Sequence, residues 1–324
     1  MAELVDAHDS KSCDRKVMRV RFSLPALVKK DNAIVIVGPT SSGKSALAVA
    51  LAKKFNGEVI SADSRQVYKG LNIGTGKITE REMKGVPHHL LDVANPKKLF
   101  TAHDFVKIGR NKIKDIARRG KLPIIAGGTG FYIDALVGRI VLPDVPINRR
   151  LRKELEKKTA VELFAMLKKK DSRRASEVDP KNPHRLIRAL EVVQALGKVP
   201  RVQSKVLYDM LWLGIEAPRE TLEKKIRARL RARVKQGMIS ETKKLRKAGL
   251  SLKRMEALGL EYRALSRHLQ KETTRSQMID ELDYEISRFA KRQLTYWKRN
   301  KNIIWLKSNA RRDMERRIQT FLKR

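Results

Sequence analysis

Eight consecutive residues of this chain have the types and spacing that bind phosphate. They follow the apolar run 33–37 and read Gly38-Pro39-Thr40-Ser41-Ser42-Gly43-Lys44-Ser45, which matches the P-loop pattern G-x-x-x-x-G-K-[ST]. Glycine allows successive backbone N–H groups to surround phosphate oxygens. Lys44 would reach the outer phosphates, and the Ser45 hydroxyl would ligate Mg²⁺. An apolar strand before the loop and a helical pattern after it favour phosphate binding over an ordinary glycine-rich turn.

Two further segments, one polar and one rich in glycine, follow predicted strands. The strand over 58–62 ends at Asp63-Ser64-Arg65-Gln66, and the strand over 122–126 ends at Gly127-Gly128-Thr129-Gly130. In an open parallel sheet, ligands bind outside the carboxyl ends of the strands, so we expect both segments beside the P-loop. The Asp63 carboxylate could hold the water shell of Mg²⁺ or accept a proton from a nucleophile. Capping of the next turn is the structural alternative.

The alternation of strands and helices predicts an α/β fold, a P-loop NTPase-like parallel sheet flanked by helices with a helical insertion domain. The pattern predicts single long helices over 151–170 and 223–245, a last core strand over 210–215 and a short terminal strand over 303–306. We divide the chain into four parts. Residues 1–30 are an N-terminal extension that is either a basic arm or a mis-called start, and residues 31–142 are the first part of the core. Residues 143–200 are a helical insertion, and residues 201–324 complete the core and add C-terminal helices.

Charge indicates a polyanionic partner. The chain has 324 residues with 73 Lys+Arg against 35 Asp+Glu, a net charge of +38. Such a field attracts nucleic acid or an anionic membrane, although a solvated basic surface is the plain alternative. The insertion offers Arg152, Arg185 and Arg188 as anion contacts. In the predicted helix after it, Lys225, Arg229 and Arg233 share one face, an arrangement that a neighbouring anion would relieve.

Cysteine content, hydropathy and the histidine pair limit the compartment and the partners that we expect. The lone cysteine, Cys13, excludes an internal disulfide framework and fits a reducing compartment. No apolar run approaches the roughly 20 residues that span a bilayer, so we expect a cytoplasmic protein without a membrane partner. Adjacent residues His88 and His89 make a poor metal chelate and are interpreted as structural or substrate-adjacent.

Several motifs in one order resemble tRNA dimethylallyltransferases over about residues 31–306. They are the P-loop, Ser61-Ala62-Asp63-Ser64-Arg65-Gln66-Val67-Tyr68, Gly74-Thr75, Pro87-His88-His89-Leu90-Leu91-Asp92, Gly127-Gly128-Thr129-Gly130-Phe131-Tyr132, Arg185-Leu186-Ile187-Arg188-Ala189-Leu190-Glu191 and Lys291-Arg292-Gln293. A generic P-loop kinase would not carry DSRQVY and GGTGFY together.

The resemblance implies transfer of a dimethylallyl group from dimethylallyl diphosphate to N6 of the adenosine 3′ to the tRNA anticodon, position 37, with release of diphosphate. The P-loop would then hold the diphosphate. Asp63 would be the general base, and Lys44, Mg²⁺ at Ser45 and Arg229 would stabilise the departing charge. We expect a monomer whose contacts with the tRNA anticodon stem-loop come from Asp63, Ser64, Arg65, Gln66, Thr129, Arg152, His184, Arg185, Leu186, Ile187 and Arg188.

Two departures from the family pattern and three alternatives stand beside this interpretation. Gly76 stands where the family usually has alanine. Residues 254–263 read RMEALGLEYR, so Leu260 and Glu261 separate the glycine and tyrosine that are usually adjacent in the family. A small-molecule kinase of the shikimate-kinase type would share the P-loop but would not need the basic insertion. In a non-catalytic RNA-binding P-loop protein Asp63 would be dispensable. A prenyltransferase acting on free adenine nucleotides would gain nothing from a charge of +38.

Overall fold

Six strands form one fully parallel sheet in the computed structural model, which describes residues 32–201 and 204–324. The strands lie in the order β3-β2-β4-β1-β5-β6. This arrangement confirms the predicted α/β fold with a parallel sheet, whereas the predicted extension 1–30 lies outside the described residues. The strands are β1 (Asn32–Val37), β2 (Gly57–Ser61), β3 (His88–His89), β4 (Leu122–Ala126), β5 (Asp209–Glu216) and β6 (Ile303–Lys307).

Helices connect the strands and cover the sheet. They are α1 (Lys44–Lys54), α2 (Glu80–Met83), α3 (Ala102–Arg118), α4 (Gly130–Leu136), α5 (Arg149–Leu155), α6 (Ala160–Lys170), α7 (Ser172–Glu177), α8 (Pro183–Leu196), α9 (Arg219–Lys235), α10 (Met238–Lys247), α11 (Leu252–Leu258), α12 (Leu260–Leu269), α13 (Arg275–Trp297) and α14 (Arg311–Leu322).

The central strand β1 is apolar from Ala33 to Val37 because both of its faces are covered. Val35 and Val37 pack into one hydrophobic cluster with residues of α3, α4, α9, α12 and α13. Ile34 and Ile36 pack into a second cluster with residues of α1 and α14. All four side chains are fully buried. Alternate residues of a strand face opposite sides, so this sequence requires helices on both faces of the sheet.

The insertion contains two helices where a single one over 151–170 was predicted, and that prediction is wrong. Thr159 Oγ1 accepts a hydrogen bond from the N–H of Glu162, and the Glu162 carboxylate accepts one from the N–H of Thr159. This capping box begins α6 afresh after α5 ends. Residues 145–199 also enclose a hydrophobic cluster of their own. The domain boundaries at 143 and 200 stay predictions.

The predicted helix over 223–245 is also wrong, because α9 and α10 are separate. Gly237 lies between them with φ of 103°, a conformation that glycine adopts without steric cost and that ends a right-handed helix. Strand β5 is not the last in the sheet: β6, predicted as a short terminal strand, pairs beyond it with Trp212 opposite Ile303. Helix α3 begins with a capping box formed by Thr101 and Asp104.

A buried carboxylate anchors the edge of the sheet near β3. Glu58 of β2 is 2% exposed and accepts hydrogen bonds from three cationic or ionisable side chains: Arg119, Lys121 and His89. The Arg119 contacts are bidentate, at 2.5 and 2.7 Å. These contacts, Arg119 foremost, hold the pKa of Glu58 well below its ordinary value of 4.5.

We predict that Glu58→Gln lowers the free energy of unfolding at pH 7 by about 2 kcal/mol, because a charged acceptor is lost from a buried cluster. The folded-state pKa of Glu58 is depressed, so its contribution is present above the ordinary pKa and fades as pH falls. The difference between the two proteins should therefore shrink below about pH 4. Urea denaturation across pH, with the exposed Glu272→Gln as control, measures it. A difference that grows in acid would contradict the prediction.

Candidate active site

The ends of β1, β2 and β4 meet at one edge of the sheet. The N–H of Gly127 donates to Ile36 O at 3.3 Å, and the N–H of Thr129 donates to Ala62 O at 3.2 Å. A Cβ on Gly127 would lie 2.1 Å from Ala62 O, so only glycine permits this approach. The P-loop, the Asp63 turn and the loop 127–130 are therefore adjacent, as the sequence predicts.

The P-loop has the backbone form of an anion cradle. Gly43 has φ of 96° and begins α1 without a side-chain cap, so the first N–H groups of the helix face the loop. Ser45 is exposed at this helix start. The buried Ser42 Oγ has no hydrogen-bond partner within the described ranges. These unpaired donors and hydroxyls fit a diphosphate and the single protein hydroxyl that Mg²⁺ commonly uses beside phosphate oxygens.

Lys44 brings a cationic side chain to the P-loop. Its Nζ donates to Pro39 O at 2.5 Å. Burial lowers the pKa of the Lys44 ammonium to about 7; Asp63 opposes this shift and Arg229 adds to it. Lys44, Asp63 and Arg229 thus lie within electrostatic reach of one another, although Arg229 is more than 160 residues away in sequence. A bound anion would favour the charged form of the lysine.

Asp63 caps its own turn with one oxygen only. Its Oδ1 accepts from the N–H groups of Arg65 at 2.8 Å and Gln66 at 3.3 Å, so the capping alternative is realised. Oδ2 is left for other chemistry. Thr129 Oγ1 accepts from the N–H of Ser64 at 3.0 Å, which ties the turn to the neighbouring loop. Capping and proton transfer are therefore compatible, because they use different oxygens of the same carboxylate.

Arg229 reaches the site from α9. Its Nη2 donates to Gly76 O at 2.7 Å, and the amide of Gln66 lies 3.4 Å from the same oxygen. A Cβ on Gly76 would lie 2.6 Å from Arg229 Nη2, so the glycine that departs from the family pattern leaves room for the guanidinium. Lys225, Arg229 and Arg233, predicted to share one helix face, do not share one role. Arg233 is buried and donates to Gly74 O at 2.8 Å.

The insertion residues differ in what they can offer to RNA. Arg152 makes a bidentate pair with Glu191, which is also bound by Arg188. The side chains of Leu186 and Ile187 are buried, so they cannot contact RNA while the insertion is folded. Of the residues predicted at the start of α8, His184 and Arg185 are exposed. Direct contact with RNA is thus available to His184 and Arg185. It is also available to the exposed parts of Arg152 and Arg188, which both bind Glu191.

Structural roles account for His88 and His89. His88 Nδ1 lies 2.9 Å from Val86 O, and His89 Nε2 lies 2.7 Å from Glu58 Oε2. Across residues 32–201 and 204–324, no three His, Cys, Asp or Glu side chains are grouped to hold a metal ion. The same ranges contain no helix long and apolar enough to cross a bilayer.

Comparison with known proteins decides the family. The sequence model described as IPPT, IPP transferase, matches residues 66–300. The chain belongs to the IPP transferase family. A tRNA dimethylallyltransferase of Anoxybacillus flavithermus is 37% identical to this IPP transferase over 298 residues, which cover 90% of this chain and 95% of that one. A tRNA dimethylallyltransferase of Bacillus subtilis is 36% identical over 296 residues, covering 88% and 94%.

Solved structures share the fold of this IPP transferase. A tRNA isopentenylpyrophosphate transferase from Bacillus halodurans superposes with a TM-score of 0.70 at 35% identity, covering 91% of this chain and 97% of that one. A eukaryotic dimethylallyltransferase acting on tRNA superposes with a TM-score of 0.80 at 27% identity, covering 90% and 80%. The resemblance inferred from the motifs is therefore confirmed.

Sequence reasoning missed a bridge that Gln293 builds in this IPP transferase. Its Oε1 accepts from the N–H of Thr40 at 2.7 Å, and its Nε2 donates to Gly128 O at 2.9 Å. The side chain of α13 thus ties the P-loop to the loop 127–130. The Lys291-Arg292-Gln293 motif drew attention to the residue but gave it no role, because nothing local shows what it touches.

We predict that Gln293→Met lowers kcat/KM at least tenfold for the transfer reaction that the family resemblance implies. Methionine has a similar size but leaves the Thr40 N–H and Gly128 O without partners, so the two loops lose their spacing. Thr295→Ala, an exposed change on the same helix, should leave activity near wild type. Steady-state kinetics measures both variants. Full activity of Gln293→Met would show that the bridge does not set the loop geometry.

Proposed function

We propose that this chain transfers the dimethylallyl group of dimethylallyl diphosphate to N6 of the adenosine at position 37 of tRNA, 3′ to the anticodon, and releases diphosphate. One observation carries the proposal: an anion cradle, a half-free carboxylate and an arginine from a distant helix converge at the edge of the sheet in a member of the IPP transferase family. The names of the relatives support the tRNA substrate.

The reaction needs one group to take a proton and others to receive a leaving group. The exocyclic amine of adenosine attacks C1 of the dimethylallyl group, the bond between C1 and the diphosphate oxygen breaks, and the bonding pair leaves with the diphosphate. Asp63 Oδ2 accepts the proton that the amine loses. The backbone bonds to Oδ1 hold the carboxylate still while this happens.

The leaving diphosphate is held by the P-loop, residues 38–45. Lys44 and Arg229 supply positive charge where negative charge grows, and backbone N–H groups at the start of α1 add their dipoles. A Mg²⁺ ion held by the Ser45 hydroxyl and the diphosphate oxygens would add further charge neutralisation. A hydroxyl, an ammonium and a guanidinium thus surround the group whose charge rises most.

The tRNA side of the site lies toward the Asp63 turn and the insertion. An adenosine inside the anticodon loop must leave its stack to reach a carboxylate at a sheet edge. Asp63, Ser64, Arg65, Gln66 and Thr129 would read the extruded base. His184 and Arg185 would contact the RNA directly, while Arg152 and Arg188 present charge from their pairs with Glu191. The net charge of +38 supplies long-range attraction to the RNA.

A transfer assay tests the proposal against its rivals. Purified protein is incubated with labelled dimethylallyl diphosphate, Mg²⁺ and unmodified tRNA carrying adenosine at position 37, and parallel reactions contain γ-labelled ATP with shikimate, or AMP in place of tRNA. We expect label in tRNA alone. Label in a small acceptor from ATP would establish a kinase, label in AMP would establish a nucleotide prenyltransferase, and tRNA binding without any transfer would establish a binding protein.

A further inference from the structure

A loop beside the site, residues 72–76, is held by one side chain of α10. Glu241 Oε2 accepts from the N–H groups of Asn72 at 3.1 Å and Ile73 at 2.7 Å. Its Oε1 accepts from the N–H of Gly74 at 2.9 Å and from the Tyr262 hydroxyl at 3.0 Å. Three consecutive backbone donors and one phenol therefore saturate a single carboxylate, which has about four acceptor positions.

The opposite side of the same loop presents its carbonyl groups to functional side chains. Gly76 O accepts from Arg229 at 2.7 Å and lies 3.4 Å from the Gln66 amide. Gly74 O accepts from the buried Arg233 at 2.8 Å. The loop thus has three N–H donors bound to a glutamate, while its Gly76 carbonyl contacts the residues that would face diphosphate and nucleobase.

We propose that Glu241 is a positioning residue of the transfer reaction: it fixes the backbone of residues 72–76 so that the Gly76 carbonyl holds Arg229 toward the diphosphate and Gln66 toward the nucleobase. The inference rests on the proposed function. Glu241 itself touches neither reacting group, and its effect passes through the loop carbonyls: Gly76 O contacts both Arg229 and Gln66, and Thr75 O contacts Gln66 as well.

Side-chain freedom explains why such a device is needed. A free arginine samples many rotamers, and a charge that must reorganise during the reaction stabilises the transition state poorly. A fixed acceptor selects one rotamer of Arg229 before the diphosphate begins to leave. The acceptor is only as fixed as its loop, in which the N–H groups of residues 72–74 are bound by Glu241 and the N–H of Gly76 donates to Ile73 O.

Four neutral hydrogen-bond donors stabilise the charge of Glu241. Burial and the nearby Glu241 carboxylate raise the pKa of the Tyr262 phenol, so the hydroxyl stays protonated and donates. Arg233 also lies against this loop, where it donates to Gly74 O at 2.8 Å and pairs with Glu261 at 3.3 Å. Glu241 therefore orders the loop as a carboxylate whose acceptor positions are all occupied by donors.

Glu241→Gln tests the proposal, because glutamine keeps the size but cannot accept from all four donors. We expect kcat to fall tenfold to about a hundredfold, the loss that a displacement of about 1 Å produces. The dissociation constant for inorganic diphosphate should rise, while that for tRNA alone stays within about threefold, since contacts outside the loop dominate tRNA affinity. Glu223→Gln, a half-exposed change on α9, is the matched control and should behave as wild type.

A double-mutant cycle with Arg229→Ala separates positioning from a general structural role. Once Arg229 is gone, only the share of the effect that passes through Gln66 remains, so Glu241→Gln should then lower kcat by less than about threefold. Losses that multiply would overturn the proposal, as would wild-type kinetics of the single variant. Tyr262→Phe, which removes one donor of four, should show a smaller loss that Arg229→Ala also masks; this variant decides the matter if Glu241→Gln does not fold.

The outcome also distinguishes this inference from the proposed function. If the wild-type protein transfers no dimethylallyl group, the proposed function fails. The affinity for inorganic diphosphate then still tests the loop. Equal affinity in wild type and Glu241→Gln would overturn the positioning role, and weakened affinity in the variant would support it.

Discussion

Asp63→Asn is expected to abolish transfer of the dimethylallyl group while tRNA still binds. An asparagine Oδ1 can accept from the N–H groups of Arg65 and Gln66 as the carboxylate does, so the turn keeps its shape. The amide cannot take up a proton from the adenosine amine. Because a positioned general base contributes a factor of about 10² to 10⁴, we expect kcat to fall by at least about a hundredfold.

The control for this variant is Asp280→Asn, an exposed change on α13. It removes the same charge from the same protein and should leave kcat and tRNA affinity unchanged. Filter binding of tRNA and single-turnover transfer measure the two properties separately. Turnover by Asp63→Asn above about a tenth of wild type would remove Asp63 from the role of base.

The parts of the site that sequence predicts well are those encoded locally. The P-loop depends on spacing within eight residues, and its lysine, serine and glycines belong to one turn between a strand and a helix. Asp63 and the loop 127–130 follow from a topological rule, because strands of a parallel sheet end at one edge. Neither step requires knowledge of how distant segments pack.

Contacts between distant segments could not be predicted in this way. Gln293 meets Thr40 across 253 positions, and Glu241 meets Asn72 across 169. Both side chains lie in helices whose sequence pattern reports only which face is buried. Arg229 was placed at the site by family resemblance; its periodicity alone gave it the same standing as Lys225. Both residues are exposed, and it is the bond of Arg229 to Gly76 O that places it at the site.

The helix boundaries that were wrong had signals of different strength. Thr159 and Glu162 have the spacing of a capping box, so the break between α5 and α6 was visible in the sequence. Gly237 was a weaker signal, because one glycine inside a helical pattern is often tolerated. Arg152 illustrates a different limit: sequence shows its charge but not that buried Glu191 already binds it.

Lys44→Met should reduce kcat/KM by about 10² to 10³, the usual loss when one preorganised stabiliser of a developing anion is removed. Methionine keeps most of the apolar stem and removes only the charge. In the protein without substrate the burial of this ammonium is unfavourable, as its lowered pKa shows. Removing the charge should therefore leave the unliganded protein at least as resistant to thermal unfolding as wild type.

The same substitution should act in the opposite direction once an anion is bound. Inorganic diphosphate should raise the melting temperature of the wild-type protein and of Lys53→Met, an exposed change near the end of α1. It should raise that of Lys44→Met much less, because the cradle then lacks the charge that offsets its anion. A full ligand-induced shift in Lys44→Met would mean that backbone N–H groups and Arg229 hold the diphosphate without the lysine. The Lys44 ammonium would then stabilise only the charge that develops on the diphosphate in the transition state.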